Sequence, residues 1–470
     1  MTAFPWTAKH VTEALGMPVA SWENSYAGVS TDTRSLKERE LFVALKGERF
    51  DGHDYLSDAR MAGVGAVVVR HGTPRWPGFD WFEVDDTLVA LGALARHRRD
   101  ALAAPVVAIT GTTGKTSTKE LAAAALGAKL RVHKSERNLN NLVGVPLTVL
   151  AAPIEAEAAV VECGASVPGE IPRLREVVRP DVAVVTTVAE AHLEGFGGLD
   201  GVFTEKLALL AGAPTAVVGT VPARLAEAAR AVAKKVVTAG LEAGADWTAE
   251  NVTLLPDGRP RFAVRGVTVE LPLFGRHMVA NALVALAVAD ALGVPLAEAA
   301  GALAGTRLPA GRSEVLELGG ATVINDCYNA NPSSFAAALD LLAALRGDRR
   351  AVVVAGTMRE LGAASRDLHR AVAEQIVAAK PDVVAAVGEF APAFESLTSR
   401  LKKQALVTGD TPEAAAAGLK ELLRPCDVVL LKASRGVQLE RVIPLLWPSA
   451  PPPPPPTPPT GAGATHEVPA

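Results

Sequence analysis

The segment GTTGKTS at residues 111–117 constrains the fold of this chain more than any other feature. It follows the strand-like run 105–110 and precedes a helix-forming run that begins near Thr118. A glycine-rich turn between a strand and a helix presents backbone N–H groups at the helix N-terminus, and such a turn binds phosphate. The lysine can reach terminal phosphates and the Thr116 hydroxyl suits a phosphate-bound Mg²⁺, so ATP or GTP is the first predicted ligand.

The loop is shorter than the full Walker pattern, because Ile109 stands where that pattern has a glycine. An ordinary strand-to-helix turn is the alternative interpretation. The strand before it, the helix after it and the pair Thr116-Ser117 favour phosphate binding.

The chain around this loop alternates between apolar strands and helices, which indicates a parallel sheet covered by helices. An antiparallel patch at 261–271 and an alanine-rich helix at 279–292 follow, and the central domain is predicted to end at residue 309. The strands of this domain are predicted at 106–110, 158–162, 182–187, 215–218 and 236–239.

The predicted fold class is α/β with three domains. Residues 1–100, with strands at 41–45 and 66–70 and a helix at 87–103, form a small N-terminal α/β domain, and residues 101–309 form the central P-loop domain. Residues 310–447 again alternate strands with helices, which predicts a Rossmann-like open α/β domain with strands at 321–326, 351–355, 383–387, 405–407 and 427–431. Residues 448–470 are rich in proline and predict a disordered tail.

Composition excludes several classes of function. The formal net charge of −4 gives no electrostatic footprint for nucleic acid or for a membrane surface. The longest apolar stretch, 279–294, is interrupted by Asn281 and Asp290, so no membrane span is expected. Cys163, Cys327 and Cys426 lie far apart and form no metal or disulfide pattern, and residues 1–6 lack the features of a signal peptide. These observations predict a cytoplasmic protein with small-molecule partners.

Two polar residues are predicted to share an edge of the sheet with the phosphate loop. Glu162 ends one predicted strand and His192 follows the next. A carboxylate and an imidazole beside a phosphate-bound Mg²⁺ suit direct or water-mediated ligation. Taken singly, the glutamate could be a solvated cap and the histidine a satisfied core residue. Lys206 lies in a helix whose pattern predicts a solvated position for it.

Two asparagine-rich segments are further ligand-binding candidates. Asn138, Asn140 and Asn141 precede an apolar run, and their amides can both donate and accept hydrogen bonds. Residues 326–334 leave a strand at the ligand edge of the C-terminal sheet. The alternative for this second segment is a turn with Ser333 as the helix N-cap.

With these residues assembled, the chain resembles the Mur ligases of peptidoglycan synthesis over nearly its whole length. The matching segments are 30–34, 41–47, 51–53, 111–116, 162–164, 191–197, 275–277, 281–283, 311–312, 326–332, 356–362 with Ser365 and His369, and 432–435. The segments 329–332 and 358–362 favour the branch of the family that adds D-alanyl-D-alanine.

The resemblance implies specific roles for numbered residues. Lys115, Glu162, His192, Lys206 and Arg312 are implied to be catalytic, and Thr116, Glu162, His192 and Lys206 to hold the metal. ATP is implied to contact Gly111, Thr112, Thr113, Gly114, Lys115, Thr116, Ser117, His277, Asn281, Arg312 and Asp326. The UDP-linked substrate is assigned to Ser30, Thr31, Asp32, Thr33, Arg34, Lys46, Asn138 and Asn141, and D-alanyl-D-alanine to Asn329, Asn331 and Ser434.

The implied activity is ATP-dependent joining of D-alanyl-D-alanine to a UDP-N-acetylmuramoyl-tripeptide through an acyl phosphate, with one or two Mg²⁺ ions and a carbamylated Lys206. A monomer is expected. The alternatives are another Mur-type or folylpolyglutamate-type ATP-dependent ligase, and a non-catalytic protein whose binding is gated by nucleotide.

Overall fold

The computed structural model describes residues 2–47, 50–395, 397–401 and 406–450. Most of the predicted proline-rich tail, residues 451–470, lies outside these ranges, as does Ala405 at the start of a predicted strand. Within the part of the chain that the structure describes, no helix is both long enough and apolar enough to cross a membrane.

The N-terminal region contains a small parallel sheet. The strands and helices of this region are β1 (Trp6–Thr7), α1 (Ala8–Ala14), β2 (Ser25–Tyr26), β3 (Val29–Ser30), β4 (Leu41–Val43), α2 (Leu56–Met61), β5 (Ala66–Arg70), β6 (Asp80–Val84) and α3 (Thr87–Asp100). Strands β3 to β6 pair in parallel in chain order. Helix α3 begins where the Asp86 carboxylate accepts hydrogen bonds from the amides of Leu88 and Val89, as an N-cap does.

The central region is built on a parallel sheet, as predicted. Its elements are β7 (Val106–Thr110), α4 (Lys115–Gly127), β8 (Val132–Lys134), α5 (Gly144–Leu150), β9 (Ala158–Glu162), α6 (Glu170–Val178), β10 (Val182–Val185), α7 (Leu193–Phe196), α8 (Leu199–Leu207), β11 (Thr215–Gly219), α9 (Arg224–Val232) and β12 (Val236–Ala239). The strands run in the order β12-β11-β10-β7-β9-β8 and every pairing is parallel. An antiparallel sheet and two helices follow: β13 (Glu250–Leu254), β14 (Pro260–Val264), β15 (Val267–Glu270), α10 (His277–Ala291) and α11 (Leu296–Ala302).

Alanine-rich helices cover one face of the central sheet. Helix α4 packs against α10, and small residues such as Ala122, Ala125 and Ala285 are fully buried between them. On the other face, α3 packs against α5 and α6, so the apolar cluster of the N-terminal region continues into the central one. This packing holds the loop after β7 between rigid elements.

The C-terminal region is a second open α/β sheet, as predicted. Its elements are β16 (Glu314–Leu318), β17 (Ala321–Asp326), α12 (Pro332–Arg346), β18 (Ala351–Gly356), α13 (Ser365–Ala378), β19 (Val383–Val387), α14 (Phe390–Glu395), β20 (Leu406–Gly409), α15 (Pro412–Leu419), β21 (Val428–Lys432) and α16 (Val442–Leu446). The order is β16-β17-β21-β18-β19-β20, with β16 antiparallel to β17 and the other pairs parallel. The carboxyl ends of β17, β18 and β21 meet at one edge, where ligands bind in such sheets.

Candidate active site

The phosphate loop leads directly into helix α4. The sequence predicts a helix start near Thr118, whereas α4 begins at Lys115. That prediction was wrong because Gly114 adopts a left-handed conformation, with φ of 81°, and acts as the N-cap without a side-chain hydrogen bond. The backbone N–H groups of the first helical turn therefore open directly onto the loop, as an anion-binding site requires. The Lys115 ammonium donates to the Gly111 carbonyl at 2.8 Å.

Both glycines of the loop lie too close to neighbouring side chains to be replaced. A Cβ at Gly114 would lie 2.4 Å from Asn281 Oδ1 on α10, and one at Gly111 would lie 2.1 Å from Thr186 Oγ1. Both contacts are far below van der Waals separation. The packing of α10 and the end of β10 against the loop thus requires glycine at both positions.

Glu162 lies at the centre of a buried polar cluster at the end of β9. Its Oε2 accepts a hydrogen bond from the Thr116 hydroxyl at 2.8 Å, and its Oε1 accepts one from Asn140 Nδ2 at 2.9 Å. The Lys119 ammonium lies 4.0 Å from Oε2 and also donates to the Ser135 carbonyl at 2.9 Å. The structure therefore brings Thr116 and Glu162 together from positions 46 residues apart. The sequence offers Asn140 as a ligand-binding candidate, and here its amide donates to Glu162. Lys119 was not predicted.

His192 lies on the boundary between the central and C-terminal regions. It has a positive φ of 53° and precedes α7. Its Nδ1 is hydrogen-bonded to Glu360 Oε2, from the loop that follows β18. This contact lowers the pKa of the Glu360 carboxyl below its ordinary value. Sequence reasoning missed Glu360 as a site residue, because its partner is 168 residues away.

Lys206 is buried, so its predicted solvated position on the helix was wrong. It has 1% of its surface exposed, because α8 packs against α6 and α7. Its Nζ donates to the Ala165 carbonyl at 3.3 Å and lies 5.4 Å from the centre of the Phe196 ring. Burial, reinforced by the positive charge of Lys115, lowers the pKa of Lys206 to about 7.

Cations of the C-terminal region line a cleft that also contains the phosphate loop. The Arg312 guanidinium stacks 3.8 Å from the centre of the Tyr328 ring, and its buried Nε has no hydrogen-bond partner among the described residues. Asp326 accepts a hydrogen bond from the Ser313 amide at 2.9 Å and pairs with the buried ammonium of Lys432. An unpartnered guanidinium nitrogen in a cleft favours an anionic ligand.

The asparagines of the C-terminal segment have mainly structural contacts. Asn331 is the N-cap of α12 and forms a capping box with Ser334, so the alternative that named Ser333 as the cap was wrong by two residues. Asn329 Oδ1 accepts from the Ala330 amide. The buried Ser434 hydroxyl accepts a hydrogen bond from the Arg359 amide at 2.9 Å.

The residues predicted to hold the UDP-linked substrate lie largely apart from this cleft. Asp32 caps a 3₁₀ helix, Thr33–Ser35, and pairs with Arg34 at 2.6 Å. Lys46 forms a backbone bridge with Asp51. Asn141 Oδ1 accepts a hydrogen bond from the amide of Gly144, the first residue of α5, at 2.8 Å. Ser30, Thr31 and Thr33 lie on or next to β3, which packs against α5, and Asn138 precedes that helix.

A cleft of about 760 Å³ joins the phosphate loop to the C-terminal region. Its lining combines predicted residues from both regions: Thr112, Thr113, Gly114, Lys115, Thr116, Ser117, Asn141, Glu162, His192, His277, Asn281, Arg312, Asp326, Asn329 and Asn331. Among the predicted residues that the structure describes, the following lie outside this lining: Gly111, Lys206, Asn138, Ser434 and those at 30–34 and 46.

A buried histidine next to the cleft predicts how stability depends on pH. His369 has 1% of its surface exposed, and burial lowers its pKa below 6.5. Its Nε2 accepts the Met358 amide at 2.9 Å, a bond that protonation would break. As pH falls below about 6.5, the unfolded chain takes up a proton that the folded one does not, so stability falls by up to about 1.4 kcal/mol per pH unit.

We therefore expect the midpoint of thermal unfolding to be lower at pH 5.5 than at pH 7.5. Replacing His369 with glutamine should reduce this difference, whereas replacing the exposed His71 with asparagine should leave it unchanged. Equal pH dependence in wild type and His369→Gln would contradict the prediction.

The sequence matches family descriptions along most of its length. Residues 25–99 match "Mur ligase family, catalytic domain", residues 109–289 match "Mur ligase middle domain", and residues 311–435 match "Mur ligase, glutamate ligase domain".

Individual relatives match over nearly the whole chain. The UDP-N-acetylmuramoyl-tripeptide–D-alanyl-D-alanine ligase of Bacillus subtilis is 35% identical, over 93% of this chain and 97% of that protein. The fold is similar to a crystal structure of MurF from Acinetobacter baumannii, with a TM-score of 0.85, 31% identity, and coverage of 95% of this chain and 99% of that one. It is also similar to the MurF ligase of Thermotoga maritima in complex with ADP, with a TM-score of 0.77, 30% identity, and coverage of 89% and 96%.

Proposed function

The chain belongs to the Mur ligase family, and we propose that its cleft joins D-alanyl-D-alanine to UDP-N-acetylmuramoyl-tripeptide at the expense of ATP. The products are the UDP-linked pentapeptide, ADP and phosphate. The observation that carries the proposal is the shared cleft, in which the phosphate loop of the central region faces Arg312 and Asn329 of the C-terminal one. The Bacillus subtilis UDP-N-acetylmuramoyl-tripeptide–D-alanyl-D-alanine ligase matches 93% of this chain and supports the choice of substrates.

The reaction needs the carboxylate of the tripeptide to be activated, because a carboxylate is a poor acyl donor. Its oxygen attacks the γ-phosphorus of ATP, the bond to the β,γ-bridging oxygen breaks, and an acyl phosphate and ADP form. The amine of the dipeptide then attacks the carbonyl carbon, the C–O bond to phosphate breaks, and the amine loses a proton. Lys115 and Arg312 line the cleft as cations that offset charge on the transferring phosphoryl group.

The donors around Thr116 fit a Mg²⁺ ion. The Thr116 hydroxyl and the Glu162 carboxylate present oxygen atoms 2.8 Å apart, and Mg²⁺ prefers oxygen ligands. His192 would add Nε2, since its Nδ1 is taken by Glu360. Mg²⁺ held here would supply positive charge against the ATP phosphates. We assign Thr116, Glu162 and His192 to one or two such ions.

Lys206 is proposed to carry a carbamate. With a pKa of about 7, a large fraction of its amine is uncharged at neutral pH and can attack CO₂, forming a C–N bond and releasing a proton. The new carboxylate would add oxygen donors close enough to Lys115 for the positive charge of that lysine to act on it.

Removal of dissolved CO₂ is therefore expected to lower the activity several-fold, and bicarbonate should restore it. In ¹³C-bicarbonate the wild type should give a carbamate resonance that Lys206→Arg lacks, because arginine stays protonated. Full activity without CO₂, together with no such resonance, would contradict the carbamate.

The remaining site assignments follow the domain layout. The UDP-linked substrate is assigned to Ser30, Thr31, Asp32, Thr33, Arg34, Lys46, Asn138 and Asn141. D-Alanyl-D-alanine is assigned to the C-terminal side of the cleft, with Asn329, Asn331 and Ser434. Both substrates are small molecules, and we propose that the chain works as a cytoplasmic monomer.

One assay of ADP release tests the proposed function against its alternatives. ADP should appear steadily only when ATP, UDP-N-acetylmuramoyl-tripeptide and D-alanyl-D-alanine are all present. Turnover with a folate and glutamate would instead indicate a folylpolyglutamate-type ligase, and turnover with another UDP-peptide and a single amino acid would indicate a different Mur-type ligase. ATP binding without ADP release would indicate a nucleotide-gated binding protein.

A further inference from the structure

The second substrate carries a charge that the cleft must recognise. This inference rests on the proposed function, in which D-alanyl-D-alanine enters as a zwitterion with an ammonium group at one end. Binding an ammonium group away from bulk water requires a carboxylate or several acceptors. An acidic side chain on the C-terminal side of the cleft would meet this requirement.

Most acidic residues that line the cleft already have partners. Glu162 accepts from Thr116 and Asn140, and Glu170 accepts from the amides of Ser166 and Val167. Glu242 is hydrogen-bonded to the Thr220 hydroxyl, and Asp326 is paired with Lys432 and the Ser313 amide. Glu162, Glu170 and Glu242 belong to the central region, so the C-terminal region contributes Asp326 and Glu360 to this lining, as the described residues define it. Both carboxylate oxygens of Asp326 are taken, which leaves Glu360.

Glu360 lines the cleft and is the more exposed partner in its contact with His192. Its side chain is 56% exposed, and Oε2 is bonded to His192. Oε1 accepts no hydrogen bond from the described part of the chain. With one oxygen bonded to His192, the second oxygen of the carboxylate remains available as an acceptor for a cationic donor.

The backbone on either side of Glu360 is held in place. The Met358 amide donates to His369 Nε2 and the Arg359 amide donates to the buried Ser434 hydroxyl, both at 2.9 Å. Glu360 itself adopts a positive φ of 65°, and its carbonyl accepts the Glu194 amide at 3.3 Å. The loop thus holds the carboxylate at the boundary of the two regions, next to His192 at the phosphate edge.

We propose that Glu360 binds the ammonium group of D-alanyl-D-alanine and so selects an amine-bearing dipeptide for the second half of the reaction. One carboxylate oxygen remains on His192 while the other accepts from the ammonium group. The incoming nitrogen is thereby held at the boundary of the two regions. It must release one proton to solvent before it reacts, because only the neutral amine has the lone pair that attacks the carbonyl carbon.

The test is Glu360→Gln, which keeps the shape and removes the charge. A charged hydrogen bond contributes about 1.5–3 kcal/mol, so KM for D-alanyl-D-alanine should rise about 10- to 100-fold. The dissociation constant of Mg·ADP, measured by calorimetry, should be unchanged. Glu194→Gln is the matched control, because Glu194 is an exposed glutamate whose backbone amide donates to the Glu360 carbonyl.

A dipeptide analogue sharpens the test. D-Lactyl-D-alanine carries a hydroxyl in place of the ammonium group and should inhibit the wild type much more weakly than D-alanyl-D-alanine binds. In Glu360→Gln this difference should shrink. Glu360→Asp keeps the charge, so its KM for D-alanyl-D-alanine should lie between those of the wild type and Glu360→Gln. This variant replaces Glu360→Gln in the test if the glutamine variant does not fold.

Two results would overturn the inference. The first is a wild-type KM for the dipeptide in Glu360→Gln. The second is weakened Mg·ADP binding with an unchanged KM for the dipeptide, which would mean that Glu360 only orients His192. If the wild type itself fails to turn over D-alanyl-D-alanine, the proposed function is wrong instead.

Discussion

Replacing Lys115 with alanine is expected to lower the rate of ADP formation by about 100- to 1,000-fold. Lys115 is the first residue of α4, and its ammonium lies over the loop whose amides face the cleft. In the proposed reaction negative charge spreads over the transferring phosphoryl oxygens, and the Lys115 ammonium is the cation that residues 111–117 contribute. The rate is measured by coupled ADP release with all three substrates at saturation.

A matched control is Lys129→Ala. Lys129 lies just beyond the end of α4, is half exposed, and pairs with Glu298 at the surface. Its replacement should leave the rate within about twofold of wild type, since exposed pairs contribute little. ADP formation at a near-normal rate in folded Lys115→Ala would contradict the assigned role of the loop.

The second large effect concerns stability. Lys119→Met is expected to lower the free energy of unfolding by about 3 to 5 kcal/mol. The Lys119 side chain is fully buried, and its ammonium lies 3.0 Å from Glu120 and 4.0 Å from the buried carboxylate of Glu162. Methionine fills similar space but leaves that carboxylate without its nearest cation. Urea unfolding followed by circular dichroism measures the change.

Lys134→Met separates burial from charge. Lys134 also pairs with Glu120, but 43% of its side chain is exposed, so its loss should cost less than about 1 kcal/mol. Equal unfolding midpoints for Lys119→Met and the wild type would contradict the importance of the buried pair.

The strands could be predicted from sequence because parallel strands are buried on both faces. Runs such as Val106–Thr110 and Ala158–Glu162 contain almost no polar residues, and the structure has strands at those bounds. The strand predicted at 182–187 ends at Val185 instead. There Thr186 leaves the sheet, and its hydroxyl donates to the Thr113 carbonyl of the phosphate loop.

Side-chain partners were harder to predict, because they depend on packing rather than on local pattern. Lys206 lies in a helix whose pattern predicts a solvated position, and the packing of α8 against α6 and α7 buries it. Glu360 follows a strand end, the usual signal for a site residue, yet its contact with His192 requires the two regions to be placed relative to each other. Asn331 carried a readable signal, since Pro332 at the first helical position marks a helix start.

The position of Arg312, stacked on Tyr328 in the C-terminal region, has a consequence for how much ATP is hydrolysed without peptide-bond formation. Arg312 belongs to the C-terminal region and Lys115 to the central one, so neither region alone holds both cations. With these residues in their proposed roles, ATP bound to the central region alone would lack part of the charge that accelerates phosphoryl transfer. Hydrolysis of the bound ATP by water would then be slow. ATP would be cleaved at a useful rate only when both regions, and the substrates of the new peptide bond, are in place around it.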